Sequence, residues 1–307
     1  MMNSSRPIVV VGSLNADLTV RTHRLPHGGE TVQGSPLTVQ PGGKSSNQAV
    51  AAALLGASVH LVGAVGADAH GQMLTEAAQR AGVDVSCVVT PPDAVTGTAV
   101  VIVDDKAENV IVVSPGANGA LAPVDVPSEL LRGAGVVCLA LEIPLPTVTH
   151  AAITAASVGA EVVLNLSPYQ TVPRGLLDAA SLVVLNEHEL AQLTGVSTPE
   201  PDWTQVRTAL AGEAVTRAVI TLGAEGCVVI DGDHVTHLPA PNVVAVDTTG
   251  SGDAFTGALS AGLASGLDLV SAARLGVRAG AFAATGHGAQ ASYATEESLR
   301  SWEPQPL

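Results

Sequence analysis

Aromatic side chains and lysines are scarce in this chain of 307 residues, which contains two Trp, two Tyr, two Phe and two Lys. No aromatic residue precedes Tyr169, so the region before it offers no ring for stacking a nucleobase, a contact worth roughly 1–3 kcal/mol. The formal net charge of −15 argues against nucleic acid and anionic membranes as partners, because both favour basic patches. The net negative charge does not disfavour a small anionic ligand, because backbone amides and a metal ion can hold one.

Long apolar runs and paired cysteines are also missing. The longest apolar runs, such as Ala49–Leu55 and Val136–Leu141, fall far short of the ~18 residues that a membrane span requires. The N-terminal residues lack the charged segment and the cleavage site of a secretory signal. Cys87, Cys138 and Cys227 form no CxxC pair and no cluster with His, so we expect reduced, buried thiols. We therefore predict a cytoplasmic protein with no membrane partner.

The chain does contain a regular alternation of β-branched apolar runs and Ala- and Leu-rich segments of helical length. This alternation predicts an α/β fold in which helices sandwich a mainly parallel central sheet. The predicted strands are Ile8–Val11, Val59–Val62, Val136–Leu141, Val162–Asn165, Leu182–Leu185 and Ala218–Leu222. The predicted helices cover residues 45–57, 71–82, 145–160, 201–212, 252–264 and 269–285.

Two regions depart from this alternation. Residues 17–40 contain short apolar segments separated by the turn sequences PHGGE and QGSP, and residues 97–113 form a predicted hairpin that turns at DDKAEN. Neither region fits a crossover helix, so we expect the two to form a small β-sheet lid beside the main sheet. Because no repeat or linker interrupts the chain, we predict one domain over residues 1–307.

The segment QPGGKSSNQAVAAALLGA places a pair of glycines before a helix. Gly43 permits close approach of a ligand to the backbone, and Lys44 and Asn47, three residues apart, share one face of the first helical turn. A plain helix start is the alternative interpretation. The segment is not a P-loop, because Thr38 stands where the GxxxxGK[ST] motif requires glycine.

Polar side chains follow three of the predicted strands. Asn15 and Asp17 come after the first strand at a spacing of two, so they either point the same way and bind adjacent hydroxyl groups or hold a turn. Glu142 lies at the carboxyl end of a parallel strand, where open α/β sheets bind ligands. Asn186 ends another strand, and it either binds a ligand or caps the next helix with Glu189 as its partner.

Two further turns are rich in small residues. The sequence TLGAEG, residues 221–226, follows a strand and either covers a nucleotide or makes a hairpin. In DTTGSGDAF, the residues Gly250, Ser251 and Gly252 can aim successive N–H groups at one point, which predicts an anion hole for a phosphoryl group. Asp253 then lies in the first helical turn, where the helix dipole stabilises its charge and makes it a weak base. Phosphoryl transfer tolerates a weak base, because its catalysis is mostly positioning and charge neutralisation.

Seven motifs occur in the order found in one known family: GSLNAD, GGKSSNQAVAA, GANGALAP, LNEHEL, ITLGAEG, AVDTTGSGD and GAQAS. Over nearly its whole length the chain resembles the ribokinase family of carbohydrate kinases, and the Gly-Gly and DTxGxGD motifs are the most specific part of the match. The resemblance implies a central sheet between helices with a β lid, and ATP-dependent phosphorylation of a sugar hydroxymethyl group with Mg²⁺. It also implies activation by a monovalent cation such as K⁺ and a homodimer joined through the lid.

The resemblance gives expected roles to the residues that match the family motifs. Asp253 looks like the catalytic base, with Gly250, Ser251 and Gly252 as the anion hole. The expected sugar contacts are Asn15, Asp17, Gly43, Lys44, Asn47, Glu142 and Asp253. The expected nucleotide contacts are Asn186, Thr221, Leu222, Gly223, Ala224, Glu225, Gly226, Gly252 and Val277, with Glu189 in the Mg²⁺ and phosphate region. The expected cation ligands, several of them through backbone carbonyls, are Asp247, Thr249, Ala283, Gly286, Gly288 and Ser292.

The chain departs from the family pattern at a few positions. Ser45 and Ser46 stand where Gly and Ala are usual, and Ser251 stands where Ala is usual. These serines are small, and their backbone N–H groups are unchanged. Val277 stands where a polar residue often contacts the nucleotide.

The expected acceptor is D-ribose, which gives D-ribose 5-phosphate, and fructose or another ketose and deoxyribose are the alternatives. The aromatic-free lid disfavours a nucleoside, whose base usually needs a ring to stack on. A sugar phosphate would require arginines for its phosphate, and although Arg21 and Arg24 lie in the lid, the adjoining motifs match the ribokinase family better. Two alternative functions belong to other classes of protein. One is a sugar-binding protein without catalytic activity, which would have lost Asp253 or its anion hole, and the other is a sugar-independent ATPase.

Overall fold

The computed structural model describes residues 6–106, 108–196 and 202–304. The strands are β1 (Ile8–Val11), β2 (Asn15–Arg21), β3 (Thr38–Gly42), β4 (Val59–Ala64), β5 (Asp84–Val89), β6 (Gly97–Val103), β7 (Asn109–Ser114), β8 (Val136–Leu139), β9 (Glu161–Asn165), β10 (Leu182–Asn186), β11 (Arg217–Thr221), β12 (Cys227–Asp231) and β13 (His234–Leu238). The helices are α1 (Lys44–Leu54), α2 (Ala69–Arg80), α3 (Ser128–Gly133), α4 (Leu145–Ser157), α5 (Arg174–Ala179), α6 (Glu187–Thr194), α7 (Trp203–Gly212), α8 (Ser251–Ala264), α9 (Leu269–Ala283) and α10 (Glu296–Ser301).

Nine strands of the described chain form the larger sheet, in the order β13-β12-β11-β10-β9-β8-β1-β4-β5. The strands from β11 to β5 in this order are parallel, whereas β12 and β13 add two antiparallel strands at one edge. Within β1, Ile8 and Val10 pack into one apolar core, and Val9 and Val11 pack into another. Burial on both faces explains why this strand is a continuous apolar run rather than an alternating one.

Helices cover both faces of this sheet. The helices α1, α8 and α9 pack on one face, and α4, α5 and α7 pack on the other. Every residue of α8 from Asp253 to Gly262 is buried, as expected for a helix that is apolar on all sides. The predicted α/β fold, with helices around a mainly parallel sheet, is confirmed. No helix within residues 6–106, 108–196 and 202–304 is long and apolar enough to cross a membrane.

A second sheet, with four strands in the described chain, lies where the lid is predicted. Its order is β3-β2-β6-β7, with β6 and β7 forming the predicted hairpin, although residue 107 of the turn lies outside the described residues. The strand β2 pairs with β6 in parallel and with β3 in the antiparallel sense. Asn15 stands opposite Gly42 in this pairing. The base of the second sheet is therefore built from the GSLNAD and GGKSSN motifs, which the range 17–40 left out.

Some strand predictions need correction. The strand predicted over Val136–Leu141 ends at Leu139, because the chain then leaves the sheet and the N–H of Leu141 donates to the carbonyl of Ser167 at 3.0 Å. The glycine-rich turn after Thr221 makes a hairpin with β12, which was one of its two interpretations. The strands β5 and β13 were missed because they are half-exposed and lack a continuous buried run. The predicted helix over 201–212 begins at Trp203, and residue 201 lies outside the described residues.

Gly257 sets the distance between α1 and α8. A Cβ atom at this position would lie 2.5 Å from the carbonyl oxygen of Gln48 and 2.7 Å from the Cβ of Ala51. We expect Gly257→Ala to push the helices apart and to lower the free energy of unfolding by about 1–3 kcal/mol, as overpacking does. Gly212→Ala is the control, because its added methyl group meets nothing within 4 Å. Urea unfolding measures both variants, and equal stabilities would contradict the close helix contact.

Candidate active site

The carboxyl edge of the central sheet brings several helix starts and strand ends together. Lys44 opens α1, Asp253 lies in the first turn of α8, and Glu142 follows β8. The Oε2 atom of Glu142 accepts hydrogen bonds from the backbone N–H of Lys44 at 3.0 Å and from the Oγ of Ser13 at 2.5 Å. Glu142 does not close its strand as the sequence predicted, since it lies in the following connection and joins the end of β1 to the start of α1.

Asn15 and Asp17 share one face of β2, as their spacing of two predicts. A Cβ atom on Gly42 would lie 2.1 Å from Oδ2 of Asp17, so only glycine leaves space for this carboxylate. Gly43 precedes α1 with a φ of 89°, a left-handed conformation that favours glycine. Glycine is therefore required at the two positions for different reasons: Gly42 leaves space for the Asp17 carboxylate, and Gly43 adopts a left-handed backbone conformation.

The carboxylate of Asp253 is almost fully buried and is held on both oxygen atoms. The Nδ2 of Asn47 donates to Oδ2 at 2.9 Å, and the Nε2 of Gln48 donates to Oδ1 at 3.1 Å. Burial raises the pKa of Asp253 above its usual range, although the charge of Lys44 and the two amides act in the opposite direction. The sequence predicted a stabilised charge from the helix dipole alone, and that argument omits the cost of desolvation.

Lys44 and Asp17 belong to one group of interacting charges. Burial lowers the pKa of Lys44, but the surrounding carboxylates, Asp253 foremost, outweigh it and the net shift is upward. Burial and the neighbouring charges of Glu142 and Asp253 raise the pKa of Asp17 to about 7. The site therefore gathers several carboxylates around one ammonium group, and Asp17 is the one among them to which no protein group within the described residues donates a hydrogen bond.

The expected anion hole lies at the N-terminus of α8. Gly250 precedes the helix with a φ of 75°, and the N–H of Ser251 donates to the carbonyl of Thr248 at 3.1 Å. Within the described residues, the N–H groups of Gly250, Gly252 and Asp253 have no protein acceptor. These three groups are donors left for a phosphoryl group at this helix end.

The expected nucleotide residues lie at the next strands of the same edge. Asn186, which ends β10, stands opposite Thr221, which ends β11, and the turn 222–226 follows. Asn186 also caps α6, since its Oδ1 accepts from the N–H of Glu189 at 2.9 Å and the carboxylate of Glu189 accepts from the N–H of Asn186 at 2.8 Å. Val277 is buried in the apolar core, so its side chain offers only an apolar surface.

The expected cation ligands come from two segments that lie side by side. The carboxylate of Asp247 accepts from the N–H of Thr249 on one oxygen and from the N–H of Gly288 on the other, both at 3.0 Å. Burial alone would raise the pKa of Asp247, but these hydrogen bonds outweigh it and lower the pKa, so the carboxylate stays ionised. An ionised carboxylate beside backbone carbonyls fits a cation that prefers oxygen ligands. The second segment also contains Ala283, Gly286 and Ser292.

Three polar side chains at the site were not predicted: Gln48, Asn118 and Gln290. The Nδ2 of Asn118 donates to the Oδ1 of Asn15 at 2.7 Å, and the Nε2 of Gln290 donates to the Oδ1 of Asn47 at 3.0 Å. These contacts join residues 103 and 243 positions apart, so motif spacing gives no signal for them. All three nevertheless lie within motifs named in the sequence analysis, Gln48 in GGKSSNQAVAA, Asn118 in GANGALAP and Gln290 in GAQAS, so a search of these motifs would have found them.

Comparison with known proteins shows the family to which the chain belongs. The chain matches the family model described as pfkB family carbohydrate kinase over residues 5–296. The ribokinase of Haemophilus influenzae is 34% identical over 295 residues, which cover 95% of this chain and 96% of that protein. The deoxyribokinase of Salmonella typhi is 33% identical over 301 residues, covering 96% and 98%. The structure of Arabidopsis thaliana ribokinase complexed with ribose and ATP has a TM-score of 0.89 at 32% identity, covering 96% of this chain and 98% of that one.

The chain therefore belongs to the pfkB family of carbohydrate kinases, the class of protein that the fold and the site indicate. Within this family it is a ribokinase-type carbohydrate kinase, an enzyme that uses ATP to phosphorylate a sugar. The family resemblance drawn from the sequence motifs is confirmed.

The raised pKa of Asp17 predicts a stability cost that depends on pH. The folded protein holds this proton up to about pH 7, whereas the unfolded chain releases it near 3.8, so stability is lost as the pH rises between these values. We expect Asp17→Asn to stabilise the unliganded protein, by about 2 kcal/mol more at pH 8 than at pH 5. Urea unfolding at the two pH values measures this difference. The exposed Asp93→Asn is the control, and an equal gain from Asp17→Asn at both pH values would contradict the burial effect.

Proposed function

We propose that this chain transfers the γ-phosphoryl group of ATP to the 5-hydroxyl of D-ribose, giving D-ribose 5-phosphate and ADP. The position of Asp253 carries this proposal, because its carboxylate and the free N–H groups at the start of α8 belong to the same helical turn. A hydroxyl group held by the carboxylate is then next to donors that can receive a phosphoryl group. Lys44 supplies a positive charge beside both.

The sugar lies between β2 and the start of α1 in this proposal. Asn15 and Asp17 point from one face of β2 and match adjacent hydroxyl groups, because the amide both donates and accepts while the carboxylate accepts. Lys44, Asn47 and Glu142 contact the remaining oxygen atoms. Gly43 lets the backbone come close to the ring. A hydroxyl group of the sugar supplies the donor that Asp17 lacks within the described residues.

The proposed reaction makes one bond to phosphorus and breaks another. The 5-oxygen attacks the γ-phosphorus while the bond to the β–γ bridging oxygen breaks, ADP leaves, and Asp253 takes the hydroxyl proton. The raised pKa of Asp253 makes it a better acceptor for this proton than an exposed carboxylate. The N–H groups of Gly252 and Asp253 and the charge of Lys44 stabilise the charge on the phosphoryl group as it moves.

The nucleotide occupies the neighbouring strand ends. Asn186 and Thr221 close β10 and β11 at the carboxyl edge, the part of an open α/β sheet that binds ligands. The turn 222–226 lies beside them, with Gly223 at a φ of 56° and Gly226 at 93°. In this proposal the γ-phosphate extends toward the N-terminus of α8, and Val277, which is buried in the apolar core, is the least supported of the expected contacts.

Mg²⁺ and K⁺ are part of the proposal, and the ionised carboxylate of Asp247 fits K⁺. Among the described residues, no three His, Cys, Asp or Glu side chains form a metal-binding group, so Mg²⁺ is expected to be held by the ATP phosphates near Glu189, as this ion often is. Bound Mg²⁺ neutralises charge on these phosphates, and bound K⁺ adds positive charge beside the anion hole. The expected K⁺ ligands are Asp247, Thr249, Ala283, Gly286, Gly288 and Ser292.

The choice of D-ribose rests on the two adjacent sugar hydroxyl groups that Asn15 and Asp17 can bind and on the absence of aromatic residues from the strands of the second sheet. Asn15 and Asp17 together suit two adjacent hydroxyl groups, and 2-deoxyribose lacks one of the pair. A site built to bond a hydroxyl rejects the analogue without it, since polar groups are then left unpaired. No aromatic residue occurs in β2, β3, β6 or β7, which disfavours a nucleoside. Deoxyribose remains the second candidate, because the Salmonella typhi deoxyribokinase is as similar to this chain as the ribokinases are.

Release of ADP from Mg-ATP with K⁺ present tests the acceptor. We expect D-ribose to stimulate release most, with a kcat/KM about tenfold or more above that of 2-deoxyribose because of the unpaired carboxylate. Fructose and adenosine are the further comparisons, and phosphorus NMR of the product locates the phosphate on carbon 5. Stronger stimulation by 2-deoxyribose or fructose would overturn the assignment of Asn15 and Asp17. Equal release without any sugar would indicate an ATPase instead.

We also propose a homodimer through β7, the exposed edge strand of the second sheet. Val110, Ile111, Val112 and Val113 of β7 are between 47% and 62% exposed, and Val100 of the adjacent β6 is 42% exposed. The strand β7 is the edge of this sheet and is exposed along its whole length. A long apolar edge strand without cover is a surface that pairs with another chain. A second copy presents the same edge and can cover it symmetrically.

Light scattering tests the dimer directly. We expect a mass twice the 30.6 kDa of one chain. Val112→Glu should give the single-chain mass, because pairing would bury a charge. The control Val124→Glu, at a position that is 88% exposed and lies outside the second sheet, should leave the mass unchanged. A single-chain mass for the unaltered protein would contradict the proposal.

A further inference from the structure

The carboxylate of Asp253 is held by hydrogen bonds that reach beyond the residues assigned so far. On one side, the Sγ of Cys138 donates to the Oε1 of Gln48 at 3.2 Å, and the Nε2 of Gln48 donates to Oδ1 of Asp253 at 3.1 Å. On the other side, the Nε2 of Gln290 donates to the Oδ1 of Asn47 at 3.0 Å, and the Nδ2 of Asn47 donates to Oδ2 of Asp253 at 2.9 Å. We name Asn47, Gln48, Cys138 and Gln290 the amide clamp.

The two amides next to Asp253 have the same polarity, with the NH₂ group facing the carboxylate and the oxygen facing away from it. A side-chain amide presents either its oxygen or its NH₂ group to a neighbour, and a donor placed behind the amide holds the oxygen at the back. Both amides therefore turn their NH₂ groups toward Asp253, one to each oxygen. A protonated carboxyl group would find a donor where its proton needs an acceptor. Hydrogen bonds of this kind favour the charged form of the carboxyl group.

The burial of the amide clamp gives these hydrogen bonds their strength. Asn47, Gln48 and Cys138 are almost fully buried, as is Asp253, and only Gln290 is half-buried. Hydrogen bonds in a region of low dielectric are electrostatically stronger than in water. The same burial is what raises the pKa of Asp253 most, so the clamp opposes the largest effect on this group.

The groups that face Asp253 from neighbouring elements act on its ionisation in both directions, and the clamp acts together with Lys44. Lys44 of α1 has the opposite charge and favours ionisation, whereas Asp17 of β2 and Glu142 after β8 have like charges and oppose it. Burial raises the pKa of Cys138 to about 12 and that of Tyr293 well above its usual value. Both groups therefore remain neutral at working pH, and Cys138 remains a thiol that can donate.

We propose that Gln48 and Cys138 are positioning residues, which act through the amide clamp to keep the Asp253 carboxylate ionised and aimed at the acceptor hydroxyl. The inference rests on the proposed role of Asp253 as the base. The thiol of Cys138 fixes the orientation of the Gln48 amide, and the amide fixes the carboxylate. Gln290 has the corresponding role behind Asn47.

The pH dependence of kcat at saturating sugar and Mg-ATP tests the inference, because kcat reports groups in the enzyme–substrate complex. Gln48→Met keeps the length of the side chain and removes its donor. We expect the acid limb of the profile to move up by about one pH unit, so that kcat is about tenfold lower at pH values well below both midpoints and close to the unaltered value near pH 9. A lesion in packing alone would lower kcat equally at every pH.

Cys138→Ala and Cys138→Ser differ only in the side-chain oxygen of serine. Comparing them distinguishes the loss of the hydrogen-bond donor from the change in side-chain volume. Cys138→Ala removes the donor that fixes the Gln48 amide, and we expect a rise of the acid limb by about half a pH unit. Cys138→Ser keeps a donor, so the limb should stay near that of the unaltered enzyme. Cys227→Ala is the matched control, since Cys227 is equally buried and contacts no part of the clamp. Its acid limb should not move.

Two further variants, Gln290→Met and Asp253→Asn, allow the inference to be tested even if Gln48→Met does not fold. Gln290→Met removes the donor behind Asn47 at a half-buried position, so it tests the other side of the clamp if Gln48→Met does not fold. An unmoved acid limb in the folded clamp variants, or a loss of kcat that is equal at every pH, would overturn the inference. Asp253→Asn is measured beside them. If it keeps sugar-dependent ADP release, the proposed base is wrong; if it alone is inactive while the clamp variants match the unaltered enzyme, only the clamp inference fails.

Discussion

A carboxylate that has to stay charged without water around it constrains the whole centre of this molecule. An isolated ionised carboxylate in a protein interior is very unfavourable, so the chain surrounds Asp253 with partners. Lys44 supplies the opposite charge, and Asn47 and Gln48 donate to the two oxygens. All three partners lie on α1, which therefore has to pack closely against α8. The glycine at position 257 makes that approach possible, so helix packing and site chemistry are one requirement.

The proposed sugar side of the site contains a carboxylate, Asp17, without a hydrogen-bond donor within the described residues. Burial and the like charges of Glu142 and Asp253 raise the pKa of Asp17 to about 7. Such a cluster costs stability while the site lacks a substrate. In the proposed complex a hydroxyl group of the sugar would donate to Asp17, so part of the binding free energy would come from relieving an unfavourable interaction already present in the protein. Stability and function are opposed at these positions.

Local periodicity explains what could be predicted from the sequence. The run Ile8–Val11 and the spacing of Asn15 and Asp17 each depend on neighbouring residues, and the structure has both as expected. Contacts between distant segments could not be predicted in this way. The donation from Gln290 to Asn47 spans 243 positions, and the direction of the pKa shift of Asp253 depends on burial that only the packed helices create. The expected roles of the cation ligands came from family resemblance, since backbone carbonyls leave no mark on residue type.

The ionisation state of Asp253 shows most directly whether the surrounding donors hold this buried carboxyl group in its charged form. Infrared difference spectra between the unaltered protein and Asp253→Asn, with ¹³C-labelled aspartate, isolate the band of this one carboxyl group. The account predicts the carboxylate stretching bands at pH 7 in the free enzyme, and their replacement by a protonated carbonyl band only at lower pH. A protonated band at pH 7 would contradict the claim that the surrounding donors hold this buried group in its charged form.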